Sequence, residues 1–560
     1  MNGNRDVIVV GGGPGGAVCA SALARHGCRV LLLEEALFPR DHVGESLSPA
    51  AWDVIQQLGA GDELRAARFA PKAGATFAWG DNPWPWTVAY QAPDEAPATY
   101  QVRRAEFDAI LLRAASAAGA EVRLGWRVNE VTCSSGRAAG VLATSPDGQA
   151  QRLAASWVVD ASGAAGLLSS SLGRVPGPPE LENAAVWARW RRDEEPRAGE
   201  YDNSLLVGRD GTCYWHYPLD DRARMATVGV VVPARSGLPP ADGLEAFYRA
   251  AVSSCSELEP LLSGAALDGP VSAADACAYA SSRMAGPGWF LVGDAACFID
   301  PLLTPGVQLA VQHGILAAQC LVTVIQQSAA EPESIDLYDH AVRREYETFT
   351  RLGRNLYRAA ALARPGGTRA QQGGAPEVNG QAAFLSLISG LPRAELGARL
   401  GSFIGYRKAA AAATGSTITL GEKEGYSFLT WLFHQEELAR ARTGRRLPEL
   451  GEDSVLTLAP GVTMGEHLFV PSGGDSTLLR RTAASNRFGD RFLAAPELVA
   501  LFAVLGAGCP YGEAQRRFCE ARLIPEGACR AEFRNWIEVL ADHALVEWRP
   551  AGQEAMCDAS

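Results

Sequence analysis

The sequence predicts an α/β fold with an inserted antiparallel sheet and a mainly helical C-terminal region. Three observations carry that prediction. Residues 6–34 read strand, glycine-rich turn, helix, strand; residues 182–232 alternate apolar and polar side chains; and from residue 475 the pattern runs helix, helix, helix, strand. The first is a βαβ unit, because parallel neighbours need a crossover helix. The second suits an antiparallel sheet covering a substrate, and the third suits a winged helix.

Taken in order, Asp6–Val10 is a β-rich run, Pro14–His26 a helix of small residues, and Arg29–Leu33 a second β run ending on Glu34. A helix is expected over Ala50–Leu58, followed by an aromatic stretch from Phe69 to Tyr90. The amphipathic run Arg104–Ala118 feeds a strand at Glu121–Leu124, and Trp157–Asp160 is a strand entering a glycine turn. The inserted sheet occupies about 182–280, the chain returns at Trp289–Val292, and a long helix starts near Gly306, with helices continuing through Arg364. Three regions result: a core over 1–365, a lid or linker and helical region over 366–474 that opens on the Gly/Pro/Gln-rich Pro365–Gln381, and a winged-helix-like domain over 475–560.

The 560 residues carry 51 Lys and Arg against 63 Asp and Glu, a net charge of −12, so no general basic field exists to hold nucleic acid or anionic lipid. The C-terminal 475–560 has ten Arg against twelve Asp and Glu, which argues against a DNA-reading winged helix. The greasiest region, Phe298–Ile325, is broken by Asp300, Gln308, Gln312, His313 and Gln319 and does not read as a membrane span. The opening residues lack the basic segment and long apolar core of a secretion signal, so a cytoplasmic location is expected. Twelve Cys contain no Cys-x-x-Cys pair, and no metal site is expected.

Gly11-x-Gly13-x-x-Gly16 follows a strand and opens a helix, with Glu34 closing the next strand. In that context the glycines let the backbone approach a pyrophosphate, the helix N-terminus favours its charge, and the carboxylate holds ribose hydroxyls. The motif points to a bound dinucleotide without choosing between FAD and NAD. Leu291-Val292-Gly293-Asp294-Ala295-Ala296, followed by Asp300-Pro301 and a helix, together with Val158-Val159-Asp160-Ala161-Ser162-Gly163, resembles the later fingerprints of the glutathione-reductase-type FAD-binding fold. That resemblance implies FAD, with the Asp294 carboxylate on the ribitol and the helix from Gly306 and Val307 aimed at the flavin ring.

Within that group, Phe38-Pro39-Arg40-Asp41-His42-Val43-Gly44-Glu45-Ser46-Leu47 resembles the flavin-dependent halogenases, in which a Gly-Glu-Ser turn (here Gly44, Glu45 and Ser46) lies beside the flavin. Lys72, in Pro71-Lys72-Ala73-Gly74-Ala75-Thr76-Phe77-Ala78-Trp79-Gly80, is similar to the family's active-site lysine environment. Only three Lys occur among the 51 basic residues, which makes this one informative, since an ammonium can lose its proton and a guanidinium cannot. The resemblance covers most of residues 5–360, and the acidic tail is similar to the longer branch of the chloramphenicol-pathway type. It implies a two-component enzyme. FADH2 from a separate flavin reductase reacts with O2 to a C4a-hydroperoxide, halide (chloride or bromide) attacks it, and hypohalous acid reaches Lys72 beside an electron-rich aromatic substrate, phenolic or tethered to an acyl carrier protein, in specialised-metabolite or antibiotic biosynthesis. Burial would bring Lys72 toward neutrality.

Two positions depart from the family pattern. Its Trp-x-Trp-x-Ile-Pro segment here is Cys213-Tyr214-Trp215-His216-Tyr217-Pro218, which keeps the second Trp and the Pro. The family's halide turn here is Leu302-Leu303-Thr304-Pro305-Gly306-Val307, where Pro305 has no N–H while Gly306 and the Thr304 hydroxyl remain. These departures leave a flavin-dependent monooxygenase or dehydrogenase on the same scaffold as the alternative. Arg104 and Asp108 resemble the family's cofactor-approaching Val-x-Arg-x-x-Phe-Asp segment, and equally fit a helix ion pair at i,i+4. Trp215 and Tyr357 are candidates for the substrate pocket, whereas His216 and His313 sit in apolar runs and read as core residues.

Overall fold

The computed structural model describes residues 5–362 except 73, 80–85, 90–98, 194–202, 210, 221, 223 and 303–304, and, towards the C-terminus, 454–469, 478–485, 491–493 and parts of 501–549. Residues 366–453 of the lid, linker and helical region read over 366–474, and the Thr304 of the halide turn, therefore lie outside the described residues.

The central sheet is parallel at its heart. Glu121–Leu124, Val30–Glu34, Arg5–Val10, Ala150–Asp160 and Trp289–Leu291 lie side by side in that order, and a hairpin, Arg127–Ser134 with Arg137–Thr144, extends from the first half of Ala150–Asp160. The two central strands carry continuous Val/Ile/Leu runs, Val7–Val10 and Val30–Leu33, because both of their faces are covered. Helix Pro14–Arg25 starts with Pro at its first turn, where a missing N–H costs nothing, and packs on helix Pro305–Gln326. By length and composition Pro305–Gln326 could cross a membrane, but most of it is buried inside the protein, where its apolar surface forms core.

The antiparallel sheet is wider than the sequence indicates. Its strands run Ala266–Leu267, Glu182–Arg191, Met225–Pro233, Thr212–Pro218, Asn203–Arg209, Gly74–Trp79 and Trp86–Ala89, with Ser272–Cys277 also pairing to Glu182–Arg191. The aromatic stretch thus belongs to this sheet: Gly74–Trp79 pairs in parallel with Asn203–Arg209. Gly74–Trp79 is flanked by strands on both sides, and its run of small and aromatic residues shows no clean alternation of apolar and polar side chains, which is why the boundary at 182 falls short.

Towards the C-terminus, helical residues 501–503 and 505, helix Tyr511–Arg522, the helical positions 533, 537 and 540, and strand Val546–Arg549 follow one another in that order. They enclose a separate apolar core around Leu456, Phe502, Phe518, Phe533 and Ile537. Two features depart from a helical expectation. Val455–Leu458 pairs with both Cys509–Pro510 and Val546–Arg549, and Thr463–Phe469, Leu479–Ser485 and Arg491–Leu493 form an antiparallel sheet, so strands occupy positions read as linker or helix. Leu478 anchors this region on the main core, its N–H donating to Thr323 Oγ1 at 2.9 Å.

Candidate active site

The glycine-rich turn separates packing glycines from one that packing does not explain. A Cβ on Gly11, whose φ is +102°, would lie 2.3 Å from the Ala161 carbonyl oxygen, and one on Gly16 would lie 2.0 Å from that of Gly11. Both are demanded by backbone contacts. A Cβ on Gly13 would meet only the Arg40 guanidinium, at 3.5 Å. Gly13 caps helix Pro14–Arg25, so its bare surface, the helix N-terminus and a cation converge as a pyrophosphate requires. Glu34 is fixed beside it, its Oε2 accepting from the Gly12 N–H at 2.6 Å and its Oε1 from the Ala36 N–H at 2.7 Å. Asp160, in the second fingerprint, is spent on its own turn, accepting from the Ser162 N–H, the Ser162 hydroxyl and the Leu168 N–H.

Further along, Gly44, Arg104 and Val307 meet: a Cβ on Gly44 (φ +94°) would lie 3.0 Å from Arg104 Nη1 and 3.6 Å from Val307 Cγ2. Arg104 forms the helix ion pair read for it. It grips Asp108 with two bonds, of 2.7 and 2.9 Å, and donates through Nη1 to the Val43 carbonyl at 2.6 Å, holding the Gly44-Glu45-Ser46 turn in place. Glu45 is buried and its carboxyl is pushed up to about 7 by that burial, against the pull of Arg189, whose Nη2 stands 3.5 Å away. Asp294 is likewise raised by burial, to about 6, with Arg104 and Arg174 drawing it back. Gly306, in the first turn of helix Pro305–Gln326, has nothing within 4 Å of where a Cβ would stand. Residues demanded by no protein contact therefore line both ends of the path from Gly13 to Gly306, and the set fits FAD.

Lys72 sits where the chain passes from the short ladder Ala70–Pro71/Tyr100–Gln101 onto the antiparallel sheet at Gly74. Its N–H donates to the Thr99 carbonyl at 2.9 Å, and its Nζ donates to Ser46 Oγ at 2.7 Å and to the Leu47 carbonyl at 2.9 Å. Only 3% of the residue is exposed, and burial lowers the amine from 10.5 to about 7. The turn that Arg104 clamps on the cofactor side is thus the same turn that holds Lys72 on the other.

Trp215 and Tyr357 share one apolar cluster with Phe77, Cys213, Tyr217 and Leu302, between the antiparallel sheet and helices Pro305–Gln326 and Glu331–Leu362. The Trp215 ring lies flat over Gly229, where a Cβ would come within 2.0 Å of it. The Tyr357 hydroxyl donates to Asp300 Oδ2 at 2.7 Å, Asp300 Oδ1 accepts from the Leu302 N–H at 2.8 Å, and the Tyr217 hydroxyl donates to the Leu302 carbonyl at 3.3 Å. These bonds pin the entry to the turn ending at Pro305 and Gly306. Cys213 is buried beside Asp300, and burial holds its thiol far above its ordinary range. His216 is a core residue as expected, lowered to about 4 by burial. Sequence reasoning missed Arg40, Arg189 and Asp300, although Arg40 and Asp300 stand inside motifs it quotes.

A family model described as an FAD binding domain matches residues 4–351, which makes the protein an FAD-binding flavoprotein. A flavin-dependent halogenase of Armillaria mellea is 32% identical over 383 residues, spanning 63% of this chain and 71% of the relative. Another relative, a pyrrole-carbonyl peptidyl-carrier-protein chlorinase of Pseudomonas fluorescens, is 27% identical over 363 residues, spanning 60% and 80%. The solved structure of the myxobacterial chondrochloren halogenase CndH matches with a TM-score of 0.60 at 32% identity, covering 69% of this chain and 90% of that one. The chain belongs to the flavin-dependent halogenases and is an enzyme that uses FAD and halide. CmlS, a flavin-dependent halogenase 23% identical, matches with a TM-score of 0.70 over 99% of this chain and 98% of its own, so the likeness in fold extends through the C-terminal region.

Proposed function

We propose that the protein chlorinates an electron-rich aromatic, phenolic or tethered to an acyl carrier protein, in a specialised-metabolite pathway, with Lys72 as the catalytic residue. One observation carries this reading: an amine lowered to about 7 is held by Ser46 and Leu47 on the turn that also carries the cofactor-side contacts of Gly44 and Arg104. When bound and reduced by a separate flavin reductase, FAD supplies the O2 activation that oxidises halide to hypohalous acid. The Gly306 N–H, at a helix N-terminus, is the donor proposed for halide, with Thr304 two residues before it in sequence.

At Lys72 the neutral amine either orients hypohalous acid by hydrogen bonding or exchanges one N–H for N–Cl, releasing water. The aromatic ring then takes the halogen and its displaced proton returns to nitrogen, so the amine is regenerated. Trp215, Tyr217 and Phe77 form a buried apolar cluster that would keep water from this path. The carrier-tethered option is supported by the name of the Pseudomonas relative, and a distinct C-terminal domain by the separate core around Phe518 and Phe533, which takes in Leu456 ahead of the expected boundary at 475. The test supplies purified protein with FAD, a flavin reductase, NADH, O2 and chloride or bromide, against phenols offered free and as carrier thioesters. Halogenated product that depends on halide is expected; hydroxylated product formed without halide would establish the oxygenase alternative instead.

A further inference from the structure

His313 lies wholly buried on helix Pro305–Gln326, with a defined bond on each ring nitrogen. The Gly293 N–H donates to Nδ1 at 3.3 Å, and Nε2 stands 3.1 Å from Glu345 Oε2, on helix Glu331–Leu362. A backbone amide only donates, so Nδ1 carries no proton and the ring donates through Nε2–H to the carboxylate. An apolar side chain at 313 would leave the Gly293 amide without this acceptor in a site closed to water.

Gly293 takes a φ of +63° and opens the turn that presents Asp294. The turn is held from its own side as well, with the Tyr279 hydroxyl donating to the Asp294 carbonyl and the Ala296 N–H to the Gly293 carbonyl, both at 2.8 Å. His313 joins it to the helix whose first turn contains Gly306. The next residue, Gly314, presses that same helix onto helix Pro14–Arg25, since a Cβ there would lie 2.4 Å from the Gly15 carbonyl oxygen. Three cofactor-facing elements, those of Gly13, Asp294 and Gly306, thus meet around positions 313 and 314.

We propose that His313, oriented by Glu345, is a positioning residue that fixes the Gly293–Asp294 turn against helix Pro305–Gln326 and thereby sets the affinity for FAD. It acts through the turn and touches no reacting atom. The inference rests on the FAD site alone and holds whichever aromatic is the substrate.

A pair of substitutions separates positioning from packing. His313→Asn places an amide oxygen near the Nδ1 position and keeps the acceptor for Gly293; His313→Gln reaches towards Glu345 and gives that acceptor up. Gln keeps nearly the volume of His and Asn is one methylene smaller, so loss of packing alone would weaken the Asn variant more, the reverse of the order expected from the lost acceptor. FAD titrated into each apoprotein, followed by flavin fluorescence, should bind the Asn variant within about twofold of the parent and the Gln variant about tenfold more weakly, as expected for loss of one buried bond. The melting temperatures of the two apoproteins should be alike. Should either variant fail to fold, Glu345→Gln, which keeps an acceptor for Nε2–H, should leave FAD affinity within twofold, and Glu345→Leu should weaken it severalfold. Equal FAD affinity in both members of a pair, or losses that track apoprotein melting temperature, would overturn the proposal and leave His313 a packing residue.

Discussion

The nucleotide end and the proposed substrate end of this molecule are built by opposite means. At Gly11, Gly15, Gly16 and Gly314 the backbone of one element touches that of another, so side chains are excluded and the site is shaped by what is missing. Around Lys72, Glu45 and Trp215 the site is shaped by what is buried: ionisable groups moved toward neutrality and a large ring laid over Gly229. A phosphate site needs close backbone approach and a helix dipole, whereas control of an electrophile needs a proton-exchanging amine in a dry place. The difference shows that two glycines three residues apart, Gly13 and Gly16, can be unlike.

The sharpest break in that comparison comes from exchanging glycines within one motif. Gly16→Val should yield insoluble or unfolded protein, because the branched side chain collides with the Gly11 carbonyl oxygen, 2.0 Å from the Cβ position. Gly13→Val should fold with a near-parental apoprotein melting temperature yet purify without FAD, since its side chain enters the space before Arg40. The ratio of flavin to protein absorbance and a thermal melt read both. A Gly13→Val protein that purifies yellow at full stoichiometry would remove the assigned pyrophosphate site.

The substrate end should be visible in how stability depends on pH. Glu45 is raised from 4.5 to about 7, so between those values the folded protein binds more protons than the unfolded chain and stability falls as pH rises. Lys72 is lowered from 10.5 to about 7, so from 7 to 10.5 the unfolded chain binds more protons and stability rises with pH. Apoprotein melting temperatures for the parent minus Glu45→Gln should lose ground across the acid window, and for the parent minus Lys72→Met should gain across the alkaline one. A flat difference in either window means that the corresponding group keeps its ordinary pKa in the folded protein.

A smaller effect is expected at the join between the two ends. Pro305 occupies the first turn of helix Pro305–Gln326, and Pro305→Thr returns an amide donor beside Gly306. The apparent KM for chloride should fall severalfold with kcat little changed. An unaltered KM would leave the turn without its role as the halide site.

Legibility divides along the same line. The βαβ unit, the three fingerprints and Glu34 were readable because a nucleotide demands fixed spacings from the backbone, and each lies where expected. Lys72 was readable through its scarcity and its neighbours, but its bonds to Ser46 and Leu47 join segments 25 and 26 residues apart that no local pattern connects. Arg40, Arg189 and Asp300 escaped notice because their roles depend on which elements face one another: Arg189 comes from the inserted sheet and bridges Asp41 and Glu45. The strand Gly74–Trp79 was hidden by aromatic residues, and the strands from Val455 by a preceding composition that reads as linker.

The central claim is that chemistry at the substrate end belongs to Lys72 while cofactor binding belongs to the other end. Lys72→Ala and Lys72→Arg should each bind FAD with parental stoichiometry and consume NADH and O2 with the reductase, yet give no halogenated product by mass spectrometry. Arg keeps the charge but stays protonated, and its planar fork cannot replace the amine between Ser46 and Leu47. Near-parental halogenation by Lys72→Arg would contradict the account, because positive charge alone would then suffice at that position.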